Sequence, residues 1–582
     1  MRSHRLLLPI HFFVILFAIG AMLGVQPSYN PALSFTVRNG ILIAVGVYFV
    51  LAHGILSWGM AYTVGVLLML IGTVDAALLI LQYNTLEIPN IPALIDQIGQ
   101  MTSLVPDFGY SPGHYNSVPT FLAGMIPLGI FLIVTRRYLF MKLFWLICTL
   151  ICLYAIVLTF SRGALVAIVA GLLIGVIFLA KNISVKLFGV LLLILGIGGL
   201  ALSGVGNEWM AGRIELYRNS LFVAGDYMFT GIGLGDTFPL VYSRYGLILQ
   251  VPFLGYAHNI FLSAWMGQGL LGLIGLVGML VTFTLFVFRV KRSARPRRIF
   301  HAAWLGVTVS IIHGLFDSRH YIDTLWLMTH FFVMLGLAVA AGRLALKDAV
   351  QEEPETRLSY FPYRLAAVGV VVLIVAAVIN QETLRAAWST NQGALAETRA
   401  ELGEGLTDAE RSDLDAVARD HYLEALTYDH TWPNANRRLG YLDVKTEHFD
   451  EAVRYLEIAN EIQPTNPAAI KGLGLAYVWN GQIDDAVFMF HLLKNPADVA
   501  EELTVWGFWR GTDGQQQPLL SAYAYETAAE MYPDDLNTVL WLFTAGQYEE
   551  AHIPEKAQEW YEKVLTVEPD NEDAQEALAA LG

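Results

Sequence analysis

The stretch LFMKLFWLICTLICLYAIVLTFSRGALVAIVAGLLIGVIFLAK, residues 139–181, decides the fold class of this chain. It consists of two apolar runs, 139–160 and 163–180, with only Ser161 and Arg162 between them. An α-helix of roughly 20 apolar residues crosses a hydrocarbon core of about 30 Å. The stretch therefore predicts two consecutive membrane-spanning helices joined by a short turn.

Similar apolar runs occur along the first two thirds of the chain. Over all 582 residues, 55% are hydrophobic and the mean hydropathy is +0.50. This composition excludes a soluble globular protein. The first run follows Arg2 and Arg5 and is counted as a span because no clear signal-peptide cleavage site follows it. We predict eleven spans, at 6–25, 37–57, 60–82, 118–134, 139–160, 163–180, 185–203, 259–288, 299–316, 322–342 and 364–380.

The Lys and Arg residues in short loops predict the orientation, because these side chains resist translocation. The loop from Asn84 to Ser117 contains no Lys or Arg, as expected outside the cytoplasm. An odd number of spans then exports the C-terminal tail while the N-terminus stays cytoplasmic. The residues that mark the cytoplasmic side are Arg2, Arg5, Arg136, Arg137, Lys142, Lys181, Lys186, the basic residues from Arg289 to Arg298, Arg343 and Lys347.

The acidic charge belongs to the tail. Residues 1–380 carry 23 Lys and Arg against 14 Asp and Glu, whereas residues 381–582 carry 13 against 37. Such a tail would repel nucleic acid. The two cysteines, Cys148 and Cys152, lie in one apolar run and predict neither a disulfide framework nor a thiolate metal site.

The tail repeats itself every 34 residues, which is the tetratricopeptide period. Leu439-Gly440 aligns with Leu473-Gly474, and Glu451-Ala452-Val453 aligns with Asp485-Ala486-Val487. Further residues that fit the pattern are Ala459, Pro464, Tyr477, Phe490, Ala557, Tyr561 and Pro569. We expect an all-α chain in which a polytopic membrane domain, 1–380, precedes a helical solenoid, 381–582. The solenoid would bind a protein or peptide partner, or serve only as a structural cap.

Polar residues at span ends and in exported loops often mark substrate paths, because they are costly in lipid. All of the candidates fall on the face assigned to the outside, partly in an exported loop at 204–257. They are Ser161-Arg162-Gly163, then Arg213, Arg218, Arg244 and Gly231-Ile-Gly-Leu-Gly235, then His258-Asn259, then Asp317, Arg319, His320 and Asp323.

Each group also has a plain structural interpretation. Arg162 could snorkel to the headgroups, and the glycine-rich stretch could be a tight loop, since it lacks the βαβ context of a dinucleotide site. His258 could cap a helix, and the charges around Asp317 could form a local salt-bridge cluster. The spacing of the histidines matches no metal site. Taken together, several guanidinium groups beside one histidine suit a lipid diphosphate and a general base.

In order and spacing, these motifs resemble the O-antigen ligase and polymerase family of bacterial membrane proteins. The resemblance covers about residues 35–345 and includes Gly212-Arg213-Ile214, Tyr217 and the run Gly267-Gln-Gly-Leu-Leu-Gly272 after His258-Asn259. It implies a C-type glycosyltransferase-like fold in the bacterial inner membrane. The enzyme would move a glycan from an undecaprenyl diphosphate carrier to a glycan, lipid or protein acceptor, without a metal or other cofactor.

The resemblance also implies roles for single residues. Arg162 and Arg213 would hold the diphosphate, and His258 would activate the acceptor hydroxyl. The residues expected to contact substrate are Arg218, Asn259, Arg244, Arg319 and His320. The alternatives are a protein O-oligosaccharyltransferase and, from another class, a transporter or secretion scaffold, which would show inverted repeats with broken helices or charges at mid-membrane.

Overall fold

The computed structural model describes residues 8–86, 88, 91–103, 117–202, 207–247, 254–318, 324–352, 378–511, 514–532 and 536–581. Every regular element within these ranges is a helix, so the all-α prediction is confirmed for them. The chain divides into two compact units. The first unit is Met1–Pro239 with Leu254–Val371, and the second unit is Leu240–Phe253 with Val372–Gly582. The domain boundaries expected from the sequence remain predictions.

The first unit consists mainly of long apolar helices, and one short helix, α10, begins in it and continues into the second unit. In chain order the helices are α1 (Pro9–Leu23), α2 (Pro31–Gly54), α3 (Trp58–Leu81), a 3-10 turn (Tyr83–Thr85), α4 (Ala93–Thr102), α5 (Ser117–Thr135), α6 (Leu139–Leu158), α7 (Arg162–Leu179), α8 (Ile183–Leu202), α9 (Asn207–Asp226), α10 (Phe238–Tyr245), α11 (Ile260–Ser293), α12 (Arg298–Gly314) and α13 (Thr324–Glu352).

Seven of the described helices, α2, α3, α5, α6, α7, α11 and α13, are long and apolar enough to cross a membrane. Two shorter apolar helices are α1 and the Ile183–Gly196 part of α8. Predicted span 299–316 corresponds to α12, which has only 17 residues. Predicted span 364–380 lies largely outside the described residues. The chain is therefore a multi-pass membrane protein, and the count of eleven spans stays a prediction.

Helix α11 is broken near its start, at Gly269, where φ is +65° and ψ is −165°. A Cβ atom at this position would lie 2.0 Å from the carbonyl oxygen of Phe229. The loop after α9 supplies hydrogen bonds at the break: Leu270 N–H donates to Phe229 O at 3.2 Å, and Ile232 N–H donates to Met266 O at 2.7 Å. Backbone groups that lose their helical partners inside a membrane helix need other partners. The loop after α9 supplies two of them.

The second unit is a series of helix pairs. Its helices are α14 (Gln381–Leu402), α15 (Asp408–Tyr428), α16 (Pro433–Lys445), α17 (Phe449–Ile462), α18 (Pro467–Trp479), α19 (Ile483–His491), α20 (Pro496–Arg510), α21 (Pro518–Glu530), α22 (Thr538–Glu550), α23 (Pro554–Val567) and α24 (Glu572–Leu581). Many begin with proline, which suits the first turn because its missing N–H would have no helical partner there.

The repeat period predicted from the sequence recurs in the helix boundaries. Helices α16 and α18 begin at Pro433 and Pro467, and α17 and α19 begin at Phe449 and Ile483, so both pairs are offset by 34 residues. Leu439, Ala452 and Ala459 are all buried where paired helices meet. The prediction of a tetratricopeptide-type solenoid is confirmed.

Candidate active site

His258 and Asn259 lie at the start of α11 and have different structural roles. Asn259 is the N-cap of the helix: its Oδ1 accepts hydrogen bonds from the N–H groups of Phe261 at 3.0 Å and Leu262 at 3.3 Å. Its Nδ2 donates to the carbonyl oxygen of Leu315 at 3.3 Å. Asn259 therefore caps α11, and His258 does not.

His258 has a left-handed backbone, with φ of +52°. This conformation is strained for a residue with a side chain, and such strain is concentrated at functional sites. The imidazole Nδ1 lies 3.7 Å from Oδ2 of Asp317, and the Tyr256 ring lies 3.9 Å from the imidazole ring. The Tyr256 hydroxyl donates to the same carboxylate, 3.1 Å from Oδ1 and 3.3 Å from Oδ2. The imidazole is therefore placed between a buried carboxylate and an aromatic ring.

Tyr217 connects α9 to this cluster. Its hydroxyl donates to the carbonyl oxygen of Leu315 at 2.8 Å, and the carbonyl oxygen of His258 lies 3.2 Å away. Burial raises the pKa of Tyr217 to about 12, with Arg213 acting in the opposite direction and Asp317 in the same direction. The phenol therefore stays protonated and can donate at neutral pH. Arg213 lies one helical turn before Tyr217, which places both residues on the same face of α9.

Arg162 begins α7, and its side chain is exposed. Its guanidinium lies 4.8 Å from the centre of the Phe160 ring, and Phe160 has a left-handed backbone with φ of +50°. A methyl group at Gly163 would lie 3.1 Å from Cβ of Phe316. The start of α7 thus packs against the turn that follows α12 and leads to Asp317.

The glycine-rich stretch 231–235 is a tight loop, which agrees with its plain interpretation from the sequence. Its three glycines all have positive φ. Residues 232–235 line a pocket together with Gly255-Tyr256-Ala257 and the start of α11. Other lining residues include Thr237, Phe238 and Ser263. Tyr256 belongs both to this pocket and to the His258 cluster, so the two adjoin.

The remaining candidates from the sequence are placed elsewhere. Arg218 is exposed on α9, next to Tyr217. Arg244 belongs to the second unit, where its Nε lies 4.0 Å from Glu401. Arg319, His320 and Asp323 lie outside the described residues. Within the described ranges, no group of three or more His, Cys, Asp or Glu side chains could hold a metal ion.

The sequence did not predict that Asp317 lies beside His258. It named Asp317 only within a charged cluster, because 59 residues separate it from the histidine and their meeting depends on the packing of α11 against α12. One signal in the sequence could have indicated this proximity: Asp317 is an acidic residue directly after a predicted span, on the face that carries the histidine.

The pocket, and the residues of the cluster other than Leu315 and Asp317, lie within a stretch that matches a known domain. Residues 147–277 match the family model of the O-antigen ligase. This O-antigen ligase domain contains Arg162, Arg213 and His258, and the family resemblance is confirmed over this part of the chain. The match supports a membrane glycan ligase or polymerase. A search of curated proteins gave no match.

A comparison with solved structures found matches, two of which are described here. The C-terminal part of a TPR repeat-containing protein from Cytophaga hutchinsonii is 19% identical over 37% of this chain and 94% of its own, with a TM-score of 0.17. Yeast Tom70 is 12% identical over 80% of this chain and 83% of its own, with a TM-score of 0.17.

Proposed function

We propose that the O-antigen ligase domain transfers a glycan from an undecaprenyl diphosphate carrier to an acceptor hydroxyl at the extracytoplasmic face of the bacterial inner membrane. The observation that carries this proposal is the arrangement of His258, which is held at a strained backbone position between Tyr256 and Asp317. Arg213 precedes, by one turn, the tyrosine that contacts the same cluster. The family match over residues 147–277 supports the same class of reaction.

In the proposed reaction, the acceptor oxygen attacks the anomeric carbon of the donor glycan. His258 takes the acceptor proton at Nε2, because Nδ1 faces Asp317. The bond between the anomeric carbon and the diphosphate oxygen breaks as the new glycosidic bond forms, and the lipid diphosphate leaves with both electrons of the broken bond. A single displacement of this kind inverts the anomeric centre.

Arg162 and Arg213 are proposed to hold the diphosphate. Guanidinium groups form bidentate charge-assisted hydrogen bonds to phosphate and stay protonated as negative charge develops on the leaving group. Arg218 and Asn259 are proposed to contact substrate nearby, and the substrate contact expected of Arg244 stays a prediction. Asp317 is a positioning residue for His258, since its buried carboxylate fixes the orientation of the imidazole.

The acceptor decides between the finer alternatives, because an O-antigen ligase, a polysaccharide polymerase and a protein O-oligosaccharyltransferase would all share this chemistry. Deletion of the gene tests the class directly: lipid-linked oligosaccharide should accumulate, and mass spectrometry of surface glycan, lipid and glycoprotein should identify the missing product. Unchanged carrier lipid and unchanged glycans would refute the proposal.

Topology provides a separate test. A reporter fused after Lys186 should be cytoplasmic, and a reporter fused after Gly582 should be extracytoplasmic, because the basic loops are expected inside. A cytoplasmic C-terminus would contradict the proposed orientation.

A further inference from the structure

Helix α4 (Ala93–Thr102) is amphipathic and too short to cross a membrane. Its ten residues extend about 15 Å, half of the hydrocarbon thickness. Leu94, Ile98 and Met101 follow each other at the spacing of one helical face. All three are exposed, and Leu94 and Met101 are 68% and 74% exposed. An apolar stripe on a surface helix normally faces a protein core or a membrane.

The opposite face of α4 is held by the first unit itself. A Cβ atom at Gly99 would lie 2.2 Å from the Tyr83 ring, so the helix backbone lies directly against this ring. The Tyr83 hydroxyl donates to Oδ1 of Asp96 at 3.2 Å. Asp96 is the only charged residue of α4, and a charge is costly in lipid. The charged side chain therefore points to the protein, and the apolar stripe points away from it.

The end of α4 is fixed at the level of two apolar helices that are long enough to cross a membrane. Oγ of Ser103, the C-cap residue of α4, lies 3.2 Å from the carbonyl oxygen of Leu81, the last residue of α3. The Tyr154 hydroxyl of α6 donates to Oγ1 of Thr102 at 3.3 Å. Because α4 contacts both helices, α3 and α6 end on the same side of the membrane.

These contacts also give the depth of α4. Helix α6 has 20 residues, which cover about the thickness of the hydrocarbon core. Tyr154 lies about 6 Å along the helix from its last residue, Leu158. Interfacial helices bury their apolar face about 5–10 Å into the boundary between headgroups and acyl chains. The contact between Thr102 and Tyr154 thus places α4 at the depth of an interfacial helix.

The surroundings of α4 favour lipid as the partner of the stripe. The helices that hold it also expose large apolar side chains, among them Val74 on α3 and Val157 on α6. Lipid is the solvent for such side chains in a membrane-spanning helix. The stretch from Asn84 to Ser117 contains no Lys or Arg, so attachment would depend on apolar burial and not on attraction to anionic headgroups.

We propose that α4 lies in the membrane surface, with Leu94, Ile98 and Met101 inserted into the phospholipid leaflet at which α3 and α6 end. The partner of the stripe is phospholipid, and not a second copy of the chain or another protein. The loop that the sequence places outside the cytoplasm then contains a helix embedded in the membrane. The position of α4 is independent of the proposed function.

The first test measures the depth of single positions by fluorescence. In the full-length protein, Cys148→Ala and Cys152→Ala remove the two native cysteines, and Leu94→Cys or Met101→Cys then carries a nitrobenzoxadiazole label. The protein is reconstituted in vesicles of phosphatidylcholine and phosphatidylglycerol that contain a phospholipid with a nitroxide near the top of one acyl chain.

The matched control for this test is Gln100→Cys. Gln100 is exposed and adjacent to Met101 in the sequence, but it lies on another side of the helix. Quenching by the lipid nitroxide should be at least about twofold greater at Leu94 and Met101 than at Gln100, because opposite sides of a helix are separated by about 10–12 Å. Aqueous iodide should show the reverse order.

The second test uses no label and measures hydrogen exchange of the full-length protein in nanodiscs of the same phospholipids. Met101→Glu should make the amides of α4 exchange about fivefold faster or more, because the carboxylate is excluded from the apolar boundary. Gln100→Glu adds the same charge outside the stripe and should stay within about twofold of the wild type. The amides of α3 should exchange as in the wild type in both variants, which shows that the fold is intact.

The outcomes decide between lipid, water and protein as the partner of the stripe. Equal lipid quenching at Leu94, Met101 and Gln100 would overturn the proposal, and so would equal exchange in Met101→Glu and Gln100→Glu. A Met101 label that is shielded from both the lipid nitroxide and iodide would show that protein covers the stripe, which also overturns it. Neither test measures glycan transfer, so a failure here leaves the proposed function unaffected.

Discussion

Two buried carboxylates, one in each unit, have different basic side chains as partners. Asp317 lies 3.7 Å from His258 and accepts hydrogen bonds from the Tyr256 hydroxyl. Glu397 in the second unit lies 3.2 Å from Arg438 and accepts a hydrogen bond from the Tyr422 hydroxyl. Both sites therefore combine a carboxylate, a tyrosine and a basic side chain.

The difference lies in the basic side chain. Histidine gains and loses a proton near neutral pH, whereas arginine does not. The Glu397 site can therefore only hold its charges, and its three residues lie within regular helices: Glu397 on α14, Tyr422 on α15 and Arg438 on α16. The Asp317 site can move a proton, and its histidine is at a strained backbone position before a helix. A carboxylate beside a tyrosine does not by itself distinguish a structural cluster from a candidate active site. The identity of the basic side chain and its backbone conformation do.

The largest expected effect is on catalysis. Replacement of His258 by alanine should reduce the transfer rate by about 10²- to 10⁴-fold, the usual contribution of a general base. The replacement should leave the protein in the membrane with its thermal unfolding nearly unchanged, since Asn259 and not His258 caps α11. His421→Ala, in the second unit, is the control and should transfer normally. Less than tenfold loss in His258→Ala would remove this residue from the mechanism.

Breaking the structural cluster should affect stability. Glu397→Gln removes the charge of the carboxylate that lies 3.2 Å from Arg438, and both side chains are buried. Loss of one partner from a buried ion pair costs about 3–5 kcal/mol. The denaturation midpoint of the second unit should fall accordingly, as followed by tryptophan fluorescence of the full-length protein. If the variant were as stable as the wild type, the structural role given to the Glu397 cluster in this comparison would be wrong.

A smaller effect is expected at the positioning carboxylate. Asp317→Asn keeps the shape of the side chain but removes the negative charge beside His258. The imidazole should then reorient slightly, which should lower kcat about 10- to 100-fold. The pH profile of transfer should shift as well, which a purely structural role would not produce. Tyr256→Phe should have a weaker effect in the same direction. An unchanged pH profile would assign Asp317 to structure alone.

The smallest expected effect concerns pH and the second unit. Hydrogen bonds from Gln517 and then Arg510 hold the pKa of Glu447 below its usual range. A lowered pKa in the folded state contributes stability above the pKa of the unfolded chain, and this stability is lost as the pH falls through the folded value. Glu447→Gln should therefore be less stable than wild type at pH 7 and equal to it in acid.

The magnitude of this effect is small because Glu447 is 43% exposed and solvent screens its ion pair with Arg510. The difference at pH 7 should not exceed about 1 kcal/mol. Urea unfolding of the wild type, Glu447→Gln and the exposed control Glu555→Gln would measure it. A difference that persists at pH 3 would show that the amide replacement acts through packing.

The sequence was most informative where a signal is local. Apolar runs such as 163–180 predicted helices, and the alignment of Leu439-Gly440 with Leu473-Gly474 predicted the repeats. Contacts between distant residues were not predictable, because nothing local marks them. Asn466 is 221 residues from Tyr245, and the sequence grouped Arg244 beside it with the substrate-binding arginines. The break at Gly269 was also missed, since its neighbours 270–288 are uniformly apolar.

The break in α11 also limits how the length of this chain can vary. Phe229 and Ile232 each form a backbone hydrogen bond at the break, to Leu270 and Met266. One inserted or deleted residue between them would prevent the two hydrogen bonds from forming at the same time. Insertions and deletions among related chains should therefore avoid 229–232 and collect beyond α10, where a change in length would alter neither pair.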